Sequence, residues 1–214
     1  PMLGAETRVV TVQNGVDSVE AIARHVPRGQ VAGAVTYIPA SLAAPGVIHN
    51  PGGRKDITVD RDHGNATIAA FAAAAARAVG LEVALSDDIG TVIWSKFVRF
   101  AAFSAVTSLT RSTIGPVVAN PETRALLDQL VAEGVAIARA TGQALPEDFI
   151  EATSKMYRGF PPAQRSSMAT DLEHGRRLEL EWVSGRMHAL GLKHGVPTPA
   201  HTAAYRALIL HAGG

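Results

Sequence analysis

With 20 Lys and Arg against 19 Asp and Glu, the 214-residue chain carries a formal charge of +1, which gives no electrostatic case for binding nucleic acid or an acidic membrane surface. It contains no cysteine, which removes disulfides, thiol catalysis and thiolate metal sites and fits a reducing, cytoplasmic setting. A hydrophobic share of 47% suits one large or two small folded domains; no apolar run reaches the ~18 residues of a membrane crossing, so neither a membrane partner nor a signal peptide is expected.

The β-branched run at 8–12 predicts a strand that stops at the turn Gln13-Asn14-Gly15. After it, Asp17 or Ser18 offers a short side-chain oxygen to cap a helix. Its apolar stripe is Val19, Ile22, Ala23 and Val26, and Pro27 ends it. Residues 31–38, 46–50 and 56–60 read as further strands, 65–80 as an alanine-rich helix closed by Gly80, and 81–86 as a strand. Strands and helices mixed in this way predict an α/β sheet domain at 1–87.

From Asp87 onward helix punctuation replaces β alternation, which predicts an all-helical domain at 88–214. A long helix is expected at 87–110. A second is capped by Asn120, with Pro121 in a first turn that needs no N–H, and ends near Gly142. A third is expected at 146–157 and a short fourth at 166–173, stopped by Gly175. The fifth, 178–194, carries an apolar seam of Leu180, Val183, Met187 and Leu190, and a last helix covers 200–211.

Lys96 falls mid-helix among Trp94, Phe97, Val98 and Phe100. Two readings of it stand. Desolvation would bring its ammonium toward the range useful for donating a proton, or its stem simply covers apolar surface with the charge in water. Ser167 and Asp171 are four apart on one helix face, with Glu179 at the expected start of the next helix. They form one wall of a site, or Asp171 and Glu173 face solvent with Arg176 and Arg177. The eight histidines have no metal-ligand spacing, and neither a nucleophile elbow, a P-loop nor a Gly-x-Gly-x-x-Gly follows any predicted strand.

Taken together, TVQNGVDS, IWSKF, TIGPVVANPETRALL, SSMATDLEHGRRLELEWVSG and HGVPTP resemble, in order and spacing, the ketopantoate reductase (2-dehydropantoate 2-reductase) family. The resemblance implies a fold that is α/β plus all-α: the C-terminal half of a Rossmann-type sheet domain, then a helical substrate and dimerisation domain. It implies NADPH-dependent reduction of a 2-oxo acid to a 2-hydroxy acid, in a homodimer whose partner molecule is that small acid. Lys96 matches the family's catalytic lysine, which donates a proton to the ketone oxygen. Glu179 matches the glutamate that positions lysine and cofactor. Ser167 matches the serine that hydrogen-bonds substrate, Asp171 the aspartate that supports it, and Asn14 the asparagine beside the nicotinamide.

Two departures accompany the resemblance. The family pattern has asparagines four and eight residues after the lysine, where this chain has Phe100 and Ser104. Ser104 then inherits a substrate-binding position; the expected substrate is 2-dehydropantoate or a similar 2-oxo acid, and the lost amide raises the alternative of one with a more apolar tail. Ahead of the first strand stands only PMLGAETR, without the family's glycine-rich phosphate cradle. Pro1 cannot be a translational start, so the chain is expected to be processed, to carry an added residue before Met2, or to belong inside a longer polypeptide. The alternative to an enzyme is a non-catalytic dimerisation module of the same family.

Overall fold

Residues 31–35, Val-Ala-Gly-Ala-Val, have no polar position, so a strand there has to be covered on both faces. The computed structural model describes residues 3–50, 52–53 and 55–214, apart from the side chains at 41, 62–65 and 78–79. Backbone contacts divide the chain into two units, one ending at Ile93 and the other running Trp94–Gly214.

In the first unit, strands β1 (Val9–Thr11), β2 (Val31–Thr36), β5 (Asp56–Asp60) and β6 (Glu82–Ser86) form one sheet in the order β1-β2-β5-β6. The β1–β2 and β5–β6 pairs are parallel, and β2–β5 is antiparallel. Alternation along β2 explains how it is covered. Ala32 and Ala34 pack with Val59 and with Ile68 of helix α2 (Arg61–Val79). Gly33 faces Val19 of helix α1 (Ser18–Ala23) and Ile89 and Ile93 at the start of α3 (Ile89–Leu109). A Cβ at Gly33 would lie 3.1 Å from side-chain atoms of both Val19 and Ile93, so the small residue sets that approach. Asp17 stands at the N-cap of α1 without a capping side-chain bond. The strand expected at 46–50 is β4 (Val47–His49), and it pairs with β3 (Ser41–Ala44), whose four residues give no readable alternation.

The second unit is helical from Trp94. It contains the rest of α3, then α4 (Ile114–Ala119), α5 (Pro121–Ala140), α6 (Phe149–Arg158), α7 (Ser167–Glu173), α8 (Ser184–His194) and α9 (Pro199–Leu208). Asn120 caps α5 as expected, accepting from the backbone N–H of Glu122 at 2.9 Å and of Thr123 at 3.2 Å. Helix α4 was hidden by Gly115-Pro116, which reads as a loop, yet proline is tolerated in a first turn. Gly115 lies so close to Pro162 that an added Cβ would sit 2.7 Å from its Cβ.

Two expectations are corrected. Residues 178–194 are not one helix: 180–182 form a single 3-10 turn, and α8 starts only at Ser184. The Leu178 N–H donates to the Ala212 carbonyl at 3.1 Å, which ties this segment to the C-terminus. The seam of Leu180, Val183, Met187 and Leu190 is nevertheless buried, because the three-residue step from 180 to 183 suits a 3-10 turn. Nor is every apolar run short: α3, with 21 residues, is long and apolar enough to cross a membrane by length and composition, and half of its most apolar window is buried inside the protein.

The N-terminus of α9 is satisfied from a distance. The carboxylate of Glu133 on α5 accepts from the backbone N–H of Ala200 at 2.8 Å and of His201 at 2.9 Å. The His201 ring is fully enclosed; Nε2 bonds the Leu130 carbonyl at 3.1 Å, and Nδ1 has no partner among the described residues. Burial pushes its pKa down to about 4, against a hydrogen bond to Leu130 that favours the charged form.

The sign of the resulting pH dependence follows from proton counts. Below pH ~6.5 the unfolded chain protonates this histidine while the folded one does not, so stability falls until about pH 4. At 1.36 kcal/mol per unit the loss amounts to about 3 kcal/mol. Urea unfolding at pH 7 and pH 4.5 should show a smaller drop for His201→Gln than for the parent; equal drops would contradict a neutral, buried His201.

Candidate active site

Along α3 in the second unit, Ser95, Lys96, Arg99 and Phe100 are half-buried, whereas Ala101 through Ser108 are all buried. Lys96 therefore stands just before the helix becomes enclosed. Burial holds its ammonium below the ordinary lysine pKa, and the negative charge of Glu179 pulls in the opposite direction. The two groups are thus within electrostatic reach of each other, although 83 positions separate them in the chain.

Glu179 is positioned by its neighbours. Leu178 and Leu180 are both buried in a cluster with Met168, Leu172 and Leu208, and Glu179 between them stays exposed. Glu179 stands at the N-cap of the 3-10 turn 180–182, a helix start as expected but not that of an α-helix running to 194, and the two anchored leucines leave its side chain exposed.

On α7, Ser167 is exposed and Asp171 half-buried, one turn apart. Ser166, not Ser167, is the enclosed serine: its Oγ accepts from the Ala169 N–H at 3.1 Å and shares a 2.8 Å hydrogen bond with Thr107 Oγ1 of α3. Gly175, in the left-handed conformation at φ 60°, turns the chain back, so the Arg176 N–H donates to the Asp171 carbonyl at 2.8 Å. The Arg176 guanidinium lies 3.5 Å from Asp171 Oδ1, and Arg165 pairs with Glu173. The carboxylates of α7 are therefore engaged with Arg176 and Arg165, the second of which the sequence reading had not named, while Ser167 is exposed.

Ser104, expected to touch substrate, is fully enclosed, and its Oγ has no hydrogen-bond partner among the described residues. In this conformation it offers no surface to a ligand arriving from solvent. Asn14 is exposed in the turn after β1, in the other unit. Among the described residues no group of three or more His, Asp or Glu is arranged to hold a metal ion.

Sequence reasoning missed Arg99. Its guanidinium lies 4.6 Å over the Phe149 ring, its Nε donates to Thr153 Oγ1 at 3.2 Å, and its carbonyl accepts from the Tyr157 hydroxyl at 2.6 Å. Tyr157 also packs against Phe103 and Phe160. These contacts lock the half-open turn of α3 to α6, and only the aromatic spacing of α6 hinted at them.

A partly desolvated ammonium within the field of a carboxylate is suited to proton transfer and anion binding. Comparison with known proteins narrows the class. Residues 88–212 match the model of the C-terminal part of ketopantoate reductase PanE/ApbA, and residues 1–62 match the ketopantoate reductase PanE/ApbA model. The chain belongs to the ketopantoate reductase family. It is 30% identical over 192 residues to a 2-dehydropantoate 2-reductase of Halobacterium salinarum, a match covering 89% of this chain and 63% of that relative's length. A PanE/ApbA family ketopantoate reductase from Ralstonia eutropha superposes with a TM-score of 0.87 at 29% identity, over 98% of this chain and 68% of that one. A dimeric ketopantoate reductase from Staphylococcus aureus does so with a TM-score of 0.84 at 25% identity, over 98% and 69%.

The electrostatics of the pair can be read directly. After reductive methylation with labelled formaldehyde, the Lys96 resonance should titrate below those of the surface lysines, and Glu179→Gln should move it lower still. A Lys96 resonance that titrates with the bulk lysines, or an upward shift in Glu179→Gln, would contradict the geometry.

Proposed function

We propose that this chain forms part of an enzyme that reduces a 2-oxo acid, 2-dehydropantoate or a close relative, to the 2-hydroxy acid, with NADPH as reductant and Lys96 as proton donor. The observation that carries the reading is the half-buried ammonium of Lys96 within the field of Glu179. In the reaction the carbonyl π pair becomes an O–H bond. The proton comes from Lys96 Nζ, which is left as a neutral amine and regains a proton from solvent. Desolvation makes the ammonium a better acid, and Glu179 keeps enough of it protonated to act. The positive charge also stabilises the alkoxide that develops on oxygen. Ser167 donates a hydrogen bond to the substrate, and Asp171, steadied by Arg176, keeps that face of α7 in place.

The glycine-rich phosphate cradle is not among the residues present, and the part of the chain that suits a nicotinamide cofactor is the turn after β1. Open α/β sheets take ligands beyond the carboxyl ends of their strands, and β1 ends at the turn that carries the exposed Asn14 and Gly15, the latter at φ 100°. Asn14 would hold the nicotinamide end of such a cofactor. NADPH, when bound, supplies hydride to the carbonyl carbon. By the same resemblance the enzyme is proposed to be a cytoplasmic homodimer.

The test is turnover of a 2-oxo acid panel by the full-length protein, followed as NADPH oxidation. Lys96→Ala should lower kcat/KM by about 10²- to 10⁴-fold. Lys96→Arg should fare little better, because a guanidinium keeps its proton. Activity undiminished in Lys96→Ala would overturn the assignment, and a protein that binds NADPH yet reduces none of the panel would favour the non-catalytic module.

A further inference from the structure

In the second unit the loop after α3 and the loop before α7 run side by side. The Ile114 N–H donates to the Gln164 carbonyl at 2.8 Å and the Gly115 N–H to the Pro162 carbonyl at 2.9 Å. Thr107 Oγ1 of α3 meets Ser166 Oγ, the cap of α7, at 2.8 Å. Beside these ties lies a cavity of about 280 Å³ lined by Thr107, Arg111, Arg165, Ala169 and Glu173. None of the residues assigned a part in reduction lines it. On α7, Ala169 and Glu173 follow Ser167 and Asp171 by two positions, about 200° round the helix, so the cavity lies behind the face that carries that serine and aspartate.

Two of the lining residues are arginines, and they differ in what they already hold. Arg165 is paired with the Glu173 carboxylate, whereas the Arg111 guanidinium has no partner among the described residues. Arg111 is also the one non-glycine among the described residues with a positive φ, 51°. A residue with a Cβ enters that region at a cost that glycine does not bear. The turn thus carries an unpaired cation into the cavity where the backbone alone favours glycine. The Thr107 hydroxyl gives its proton to the Phe103 carbonyl at 2.7 Å, so any recognition there rests on the two guanidiniums.

We propose that this cavity binds a small dianionic oxyanion, phosphate or a phosphate monoester, between Arg111 and Arg165, with Glu173 as a tethered competitor for Arg165. Each guanidinium presents its donors in a planar fork that matches phosphate oxygens. The preference for a dianion follows from the Arg165–Glu173 pair. A monocarboxylate arriving from solvent brings no more charge than Glu173, which is already attached, whereas a phosphate monoester carries about −1.5 to −2 at neutral pH. The greater charge is what lets an incoming anion displace the resident one.

Calorimetric titration of the full-length protein with inorganic phosphate, at an ionic strength fixed with chloride, tests the site without turnover, so the result is independent of the reductase reading. Arg111→Gly should weaken binding about tenfold or more and leave Tm unchanged or higher, because glycine relaxes the turn. Glu173→Gln should tighten it about two- to fivefold, because the competitor loses its charge. Phosphate sites elsewhere in the protein would respond to neither substitution, which isolates the cavity. Sulfate should compete with phosphate, and acetate should not. Glycerol 3-phosphate binding more tightly than phosphate would mark a monoester as the fitting ligand, and the reverse would mark the free ion. No saturable binding, or binding that neither substitution changes, overturns the site; acetate binding as tightly as phosphate overturns the dianion.

Discussion

A cation placed where a helix passes from half-open to enclosed loses part of its hydration, and only a nearby anion can offset that loss. This is the condition of Lys96, one turn before the sealed stretch that begins at Ala101. Each unit of pKa displacement corresponds to about 1.4 kcal/mol between the charged and neutral forms. Glu179 limits the displacement. The proposed roles around Lys96 all depend on the balance of these two opposed influences.

The scaffold serves this balance through long-range polar ties as much as through its apolar core. Leu178 and Leu180 anchor the backbone on either side of Glu179, and the Leu178 amide reaches the Ala212 carbonyl, so the carboxylate is held at the N-cap of a single 3-10 turn. Arg99 pins the opposite flank of the lysine's turn to α6. Glu133 supplies the N-terminus of α9 with acceptors from α5, and α9 contributes Leu208 to the cluster that seats the two leucines. Disturbing Glu133 would leave buried N–H groups unpaired, at about 1–3 kcal/mol each, and would loosen the support of Glu179 at one remove.

Much of the fold was legible because local chemistry and tertiary need agree. The strand Asp56–Asp60 alternates and is bounded by turn residues, and Asn120-Pro121 is an unambiguous helix start; both appear where expected. The misses lie where a partner elsewhere decides. Helix α4 packs Gly115 against Pro162, Ser41–Ala44 forms its ladder with Val47–His49, and the segment ahead of α8 is tied through the Leu178 amide to the Ala212 carbonyl. The site divides in the same way. Residue type and spacing nominated Lys96 and Glu179, yet the sequence could not tell that Ser104 is sealed, that Ser166 is the enclosed serine of its pair, or that Asp171 is held by Arg176.

The central claim is that Lys96 and Glu179 act as one unit, and a double-mutant cycle on kcat/KM for 2-oxo acid reduction tests it most directly. If the carboxylate works by sustaining the ammonium, Glu179→Ala should cost little once Lys96 is already alanine, so that the double variant is no worse than Lys96→Ala alone. Losses that multiply across the two sites would show that the residues act independently and would contradict the account.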